Sequence, residues 1–164
     1  MGQFNKAQEV YEILLHQTTN ESVKAPIYNQ LGAIKYYRGE YPEALTYYKK
    51  SLAIYQITLP SNHRDLGVSY MDIGNVYRSM GDYPKALSSH EKAVSILQQS
   101  LPSNHPSLAS SYDSMGLVYE KMGNYAKAHS FYERAVQIGQ QSLPSNHPNL
   151  QNYSKNLENI KKKL

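Results

Sequence analysis

The chain has 164 residues, 40% of them hydrophobic and 18% charged, with a formal net charge of +4 and no Cys. That composition supports a core and argues against a disordered tail, and the lack of Cys excludes a disulfide scaffold, a thiolate metal site and a cysteine nucleophile. No apolar run reaches the ~18–20 residues of a membrane span, and the opening MGQFNKAQEVYE lacks the basic-then-apolar order of a secretory signal; the expectation is a soluble, cytoplasmic, monomeric chain.

In chain order, residues 1–18 carry a single helical pattern, QFNKAQEVYEILLHQ. Residues 22–58 hold two such patterns. The string LPSNH then stands at 59–63 and returns at 101–105 and 143–147, a period of 42. Gly32, Gly74 and Gly116 share that period, as do Gly39, Gly81 and Gly123, and Ala44, Ala86 and Ala128. Residues 59–100 match 101–142 at 24 of 42 positions, so each block is one copy of one structural unit. The units run 22–58, 64–100 and 106–142, and 148–163 is a lone closing helix.

The third unit shows the pattern best. In 106–122, Leu108, Tyr112, Met115, Val118, Tyr119 and Met122 recur at spacings of three and four, one face of a helix. Pro106 suits the first helical turn, and Gly123 ends the helix. In 125–142 a second stripe holds Ala128, Phe131, Tyr132, Ala135, Val136 and Ile138. The Gly123-Asn124 connection is short, so the two helices lie antiparallel. One hairpin cannot bury both its apolar faces, but stacked hairpins can. The expected class is all-α, an α-solenoid of about eight helices. The glycines at 32, 74 and 116 allow close approach of paired helices, with Ala44, Ala86 and Ala128 expected to face them at the crossing.

The diagnostic residues Tyr28, Leu31, Gly32, Ala44 and Tyr48, then Tyr70, Gly74, Tyr77, Ala86 and Ala93, then Tyr112, Gly116, Tyr119, Ala128, Tyr132 and Ala135, resemble the tetratricopeptide repeat. The 42-residue period and the loop Leu-Pro-x-Asn-His-Pro are similar to the kinesin light chain branch of that family. The resemblance implies a right-handed superhelix, and a scaffold that grips short peptide segments in a concave groove. The same repeats also resemble arrays attached to signalling ATPases and ADP-ribosyltransferases. The alternative is therefore a regulatory or sensor portion of a larger signalling enzyme. The paired Asn of the light chain pattern is replaced by Asn29-Gln30, Met71-Asp72 and Asp113-Ser114, so cargo specificity does not carry over. The lone helix at the start reads as the second helix of an incomplete repeat, as in a fragment of a longer array.

No catalytic constellation is visible: the chain has no G-x-x-x-x-G-K phosphate loop, no G-x-S-x-G and no Glu-x-Glu pair. The expectation is a non-enzyme without cofactor or metal. His63, His105 and His147 recur once per repeat. Helices packed ~8–10 Å apart cannot bring them to one zinc ion, which needs each nitrogen at ~2.0–2.1 Å. They read as loop residues that satisfy backbone groups at helix starts. His90 and His129 read as packing substitutions. Lys155, Lys161, Lys162 and Lys163 against Glu158 supply three of the four net positive charges. A basic last turn suits a helix C-terminus, so no nucleic-acid partner is expected.

What remains is a surface. The repeat register assigns the first helix of each pair to the concave side. Its groove residues are Asn29, Tyr36 and Tyr37; Met71, Asp72, Asn75 and Arg78; Asp113, Leu117, Glu120 and Lys121; and Lys155, Asn159 and Lys162. Only Asn75 matches the carboxylate clamp of some family members, so that clamp is not expected. The mixture of aromatic, apolar, amide and basic side chains fits a protein or peptide partner held as an extended segment.

Overall fold

The computed structural model describes residues 2–164; Met1, the expected first residue of the opening helix, lies outside the described residues. Eight helices and no strand occur among the described residues: α1 (Gly2–Gln17), α2 (Glu21–Tyr37), α3 (Tyr41–Thr58), α4 (Arg64–Ser79), α5 (Tyr83–Ser100), α6 (Pro106–Lys121), α7 (Tyr125–Ser142) and α8 (Pro148–Lys161). No described helix is long and apolar enough to cross a membrane.

The repeated loop residues start the helices. The Nδ1 atoms of His63, His105 and His147 accept the backbone N–H of Asp65, Ser107 and Asn149, each at 3.2 Å. An imidazole lone pair thus does what a capping Asn oxygen does, satisfying one orphan donor of the first turn. Asn20 caps α2 in the ordinary way, accepting from Ser22 N–H at 3.0 Å. These bonds give the recurring histidines a structural task at each helix start.

The hairpin turns are equally regular. Gly39, Gly81 and Gly123 have φ of +78°, +80° and +76°, the left-handed region that a Cβ disfavours. The N–H groups of Glu40, Asp82 and Asn124 then return to the carbonyls of Lys35, Tyr77 and Tyr119, each at 2.9 Å. This closes a Schellman turn and folds α2 on α3, α4 on α5 and α6 on α7. Met122, expected on the buried stripe, is instead 49% exposed, because it is the C-cap residue beyond the last helical turn of α6.

Within each hairpin the glycine meets a ring. A Cβ on Gly32 would lie 2.8 Å from Tyr48, one on Gly74 would lie 2.8 Å from His90, and one on Gly116 would lie 2.6 Å from Tyr132. The atoms nearest each glycine belong to the ring one helical turn after Ala44, Ala86 and Ala128. That side chain fills the space, and a ring needs a surface without Cβ. The three alanines are themselves fully buried.

Tyrosines on α4 and α6 join hairpin to hairpin. Tyr70 and Tyr112 accept from the amides of Gln56 and Gln98 in the preceding hairpin, each at 3.1 Å. Lys50, Lys92 and Arg134 lie over Tyr28, Tyr70 and Tyr112 at 5.4, 5.5 and 4.0 Å. Each cation faces the negative face of a ring on its hairpin partner. At the far end, Leu150, Tyr153 and Ile160 of α8 are buried.

Candidate binding face

The first helices of successive hairpins adjoin: α4 touches α6 and α6 touches α8, while no comparable contact joins α3 to α5 or α5 to α7. The stack therefore bends toward the first helices, and α2, α4, α6 and α8 form its inner face. Side chains that meet across this face are offset by 43 residues, one more than the repeat period. Tyr36 and Ser79 hydroxyls lie 3.3 Å apart. Ser110 and Tyr153 hydroxyls lie 2.8 Å apart. Asn156 donates to Asp113 at 3.0 Å, and Lys163 donates to Glu120 at 2.7 Å.

The junction between α4 and α6 departs from this ladder. The rung equivalent to Tyr36–Ser79 and Glu120–Lys163 is Arg78 with Lys121, two cations. No salt bridge forms to Arg78 or Lys121 among the described residues. The Nε of Arg78 is shielded and has no hydrogen-bond partner. Ser114 donates to Asn75 Oδ1 at 3.3 Å and supplies the cross-link there. The centre of the inner face thus holds two cations without a direct ion pair, with the Asp113 carboxylate near Arg78 and the Glu120 carboxylate near Lys121.

Five of the expected groove residues converge. Asn29, Tyr36, Tyr37, Asp72 and Asn75 line one pocket of about 180 Å³, together with Ala33 and Tyr48. Tyr36 and Tyr37 meet edge to face with centroids 5.6 Å apart, and Tyr36 also contacts Tyr41. Tyr37 is 73% exposed and forms the rim. Burial pushes the Asp72 carboxyl up to about 7, and a hydrogen bond from Asn29 offsets part of that rise. Burial also raises Asp113, against the lowering effects of Asn156 and Arg78. Burial pushes Glu120 the same way, but its bonds to Lys163 and Tyr132 leave it below its ordinary value.

The other expected groove residues stand apart from this pocket. Met71 and Leu117 are half-buried and pack into the cores around Tyr112 and Tyr132. Lys121 is exposed at the end of α6. Lys155 lines a separate shallow depression with Leu150, Gln151 and Glu158 of α8 and Gln140 of α7. Sequence reasoning missed Tyr48 and Ala33 as pocket walls, and Asn156 as the partner of Asp113. An offset of 43 would have paired Asp113 with Asn156.

Antiparallel helix hairpins stacked around an open inner face define an α-solenoid of the protein-interaction scaffold kind. A tetratricopeptide repeat profile matches residues 23–99 and again 65–141, and the chain belongs to that family. No curated protein matches it in sequence. Among solved structures, BtubC (BKLC) from P. vanneervenii is 19% identical with a TM-score of 0.87, over 98% of this chain and 66% of that one. TPR-like repeats named for kinesin light chain, from Podosopora anserina, are 25% identical with a TM-score of 0.77, over 98% of this chain and 79% of theirs. The apo form of RapI is 19% identical with a TM-score of 0.81, over 95% of this chain and 55% of that one. At 19% identity, the first and last of these share the fold.

Proposed function

We propose that the inner face of this array binds a short extended segment of a partner protein, that the chain acts by docking rather than turnover, and that it does so as a cytoplasmic monomer. One observation carries the reading: Arg78, at the centre of the inner face, forms no salt bridge among the described residues and shares its rung with a second cation, Lys121. A carboxylate from a partner would pair with the outer guanidinium nitrogens of Arg78 and offset the two like charges of the rung. Met71 and Leu117 on α4 and α6 pack chiefly into the cores, and only their half-buried remainder is left as apolar surface on this face. The segment should therefore carry an acidic residue near an apolar one. Exposed ion pairs contribute only ~0–1 kcal/mol, so apolar and amide contacts supply most of the affinity.

A peptide-display selection tests this. Peptides selected on the wild type should lose binding to an Asn75→Ala/Arg78→Glu double variant and keep binding to Lys92→Glu, a change on the second-helix side. Equal binding to the double variant together with loss on Lys92→Glu would place the site on the other face.

A further inference from the structure

The Asp72 pocket has a chemistry unlike the centre of the face. Among the described residues, Asp72 is the only acid that lines it, and no Lys, Arg or His does. Among the described residues Asp72 forms no salt bridge. Asn29 is the polar neighbour that lowers its pKa. A carboxylate has about four lone-pair sites, so one amide leaves most of its accepting capacity free. The walls are the rings of Tyr36, Tyr37 and Tyr48, which attract cations through their faces. A volume of about 180 Å³ admits one long side chain and no folded element.

Resting on the groove reading above, we infer that this pocket receives the cationic end of a Lys or Arg side chain of the docked segment, with the charge on Asp72 and the stem against Tyr36 and Tyr37. An acidic side chain would bring two carboxylates together without a counter-charge. An apolar one would strip Asp72 of water and offer no donor. Asp72 and Arg78 are separated by ~9 Å of helix rise on α4. Two subsites of opposite sign on one helix orient the segment, with its basic residue toward α2 and its acidic residue toward α6.

The titration of Asp72 supports this. With the carboxyl at about 7, a bound cation favours the deprotonated form and draws the proton off. Affinity for a cation therefore rises with pH through neutrality. Tyr36, Tyr37 and Tyr48 are the other titratable groups of the pocket, and burial followed by the Asp72 charge pushes Tyr48 further up. Arg78 on α4 and Asp113 on α6 are the charged groups farther along the face.

The test is an NMR titration of the whole chain with Nα-acetyl-lysine methylamide, against the norleucine analogue of the same length. The lysine probe should shift the side-chain amides of Asn29 and Asn75, and bind at least ~10-fold more tightly than norleucine. Its affinity should rise ~10-fold from pH 6 to pH 8. Asp72→Asn, which keeps the shape, should abolish both the preference and the pH dependence. Equal shifts from the two probes, no shift from lysine, or a lysine preference that survives Asp72→Asn would each overturn the inference. The peptide selection separates the two readings. Selected peptides that lose binding to Arg78→Glu alone but lack a basic residue would sink the pocket and leave the groove. A lysine probe seated at Asp72 with no selected peptide would do the reverse.

Discussion

Tyr132 presses against Gly116 so closely that a Cβ on the glycine would lie 2.6 Å from its Cε1 atom. The same tyrosine donates its hydroxyl to Glu120 Oε2 at 2.7 Å, and Glu120 accepts from Lys163 at 2.7 Å. One ring therefore joins the hairpin crossing of α6 and α7 to the last rung of the inner face.

Gly116→Ala should destabilise the protein. Alanine improves helix propensity by roughly 1 kcal/mol over glycine, but forcing a methyl against a fully buried ring costs about 1–3 kcal/mol. The urea midpoint should fall, and Gly74→Ala should lower it in the same way against His90. Ala86→Leu, at a fully buried site, should also lower it. A midpoint unchanged in all three would mean that these rings shift freely.

His90 occupies the place that Tyr48 and Tyr132 hold in the neighbouring repeats. It is fully buried, and neither ring nitrogen has a hydrogen-bond partner. Burial, then the nearby Arg78 charge, pulls its pKa from 6.5 down to about 4. The unfolded chain binds this proton more readily than the folded one. The stability contribution is therefore full above about 6.5 and lost as pH falls toward 4, on the order of 3 kcal/mol in all. His90→Phe should flatten this acid limb and raise the midpoint near pH 5 more than at pH 8. An identical pH profile in wild type and variant would show that His90 is protonated in place.

The helices were legible because three signals coincide: apolar spacing of three and four, a turn glycine, and a proline-bearing loop repeated every 42 residues. The five pocket residues from Asn29 to Asn75 were legible for the same reason, since register alone assigns them to the first-helix side. The ladder was not. Its 43-residue offset depends on how one hairpin packs on the next, which periodicity within one helix does not carry. Met71 and Leu117 were placed in the groove by register, yet their long apolar side chains bend into the adjoining cores. For the face opposite Gly116 register names Ala128, and only shape shows that the ring of Tyr132, one turn on, lies nearest.

Opening should be least costly at α1. This helix packs chiefly on α2, and Val10 and Ile13 are each 55% exposed. Few buried apolar contacts hold its backbone, so local unfolding there requires little free energy. Amides of α1 should exchange with deuterium faster than those of α4–α7, each of which is covered on both sides by neighbours. Equal protection in a protein shown to be monomeric would contradict this.

Asp72→Asn should change stability in a pH-dependent way that runs opposite to His90. The Asp72 carboxyl rises from 3.8 in the unfolded chain to about 7 in the folded protein, through burial that the Asn29 bond only partly offsets. The folded state therefore binds the proton more readily. The favourable contribution is full below about 4 and is lost as pH rises through 7. Above neutrality the wild type holds a desolvated carboxylate on one amide, at most ~4 kcal/mol worse than a neutral group and less where water reaches the pocket rim. Asparagine keeps the size and the polar contact without the charge. The variant should thus unfold at a higher urea concentration than wild type at pH 8, with the gap closing toward pH 4. The gap should also narrow at pH 8 in the presence of Nα-acetyl-lysine methylamide, because a bound cation stabilises the wild-type carboxylate and has no charge to meet in the variant. A gap that is constant from pH 4 to pH 8 would show that Asp72 titrates normally and that the pocket is open to water.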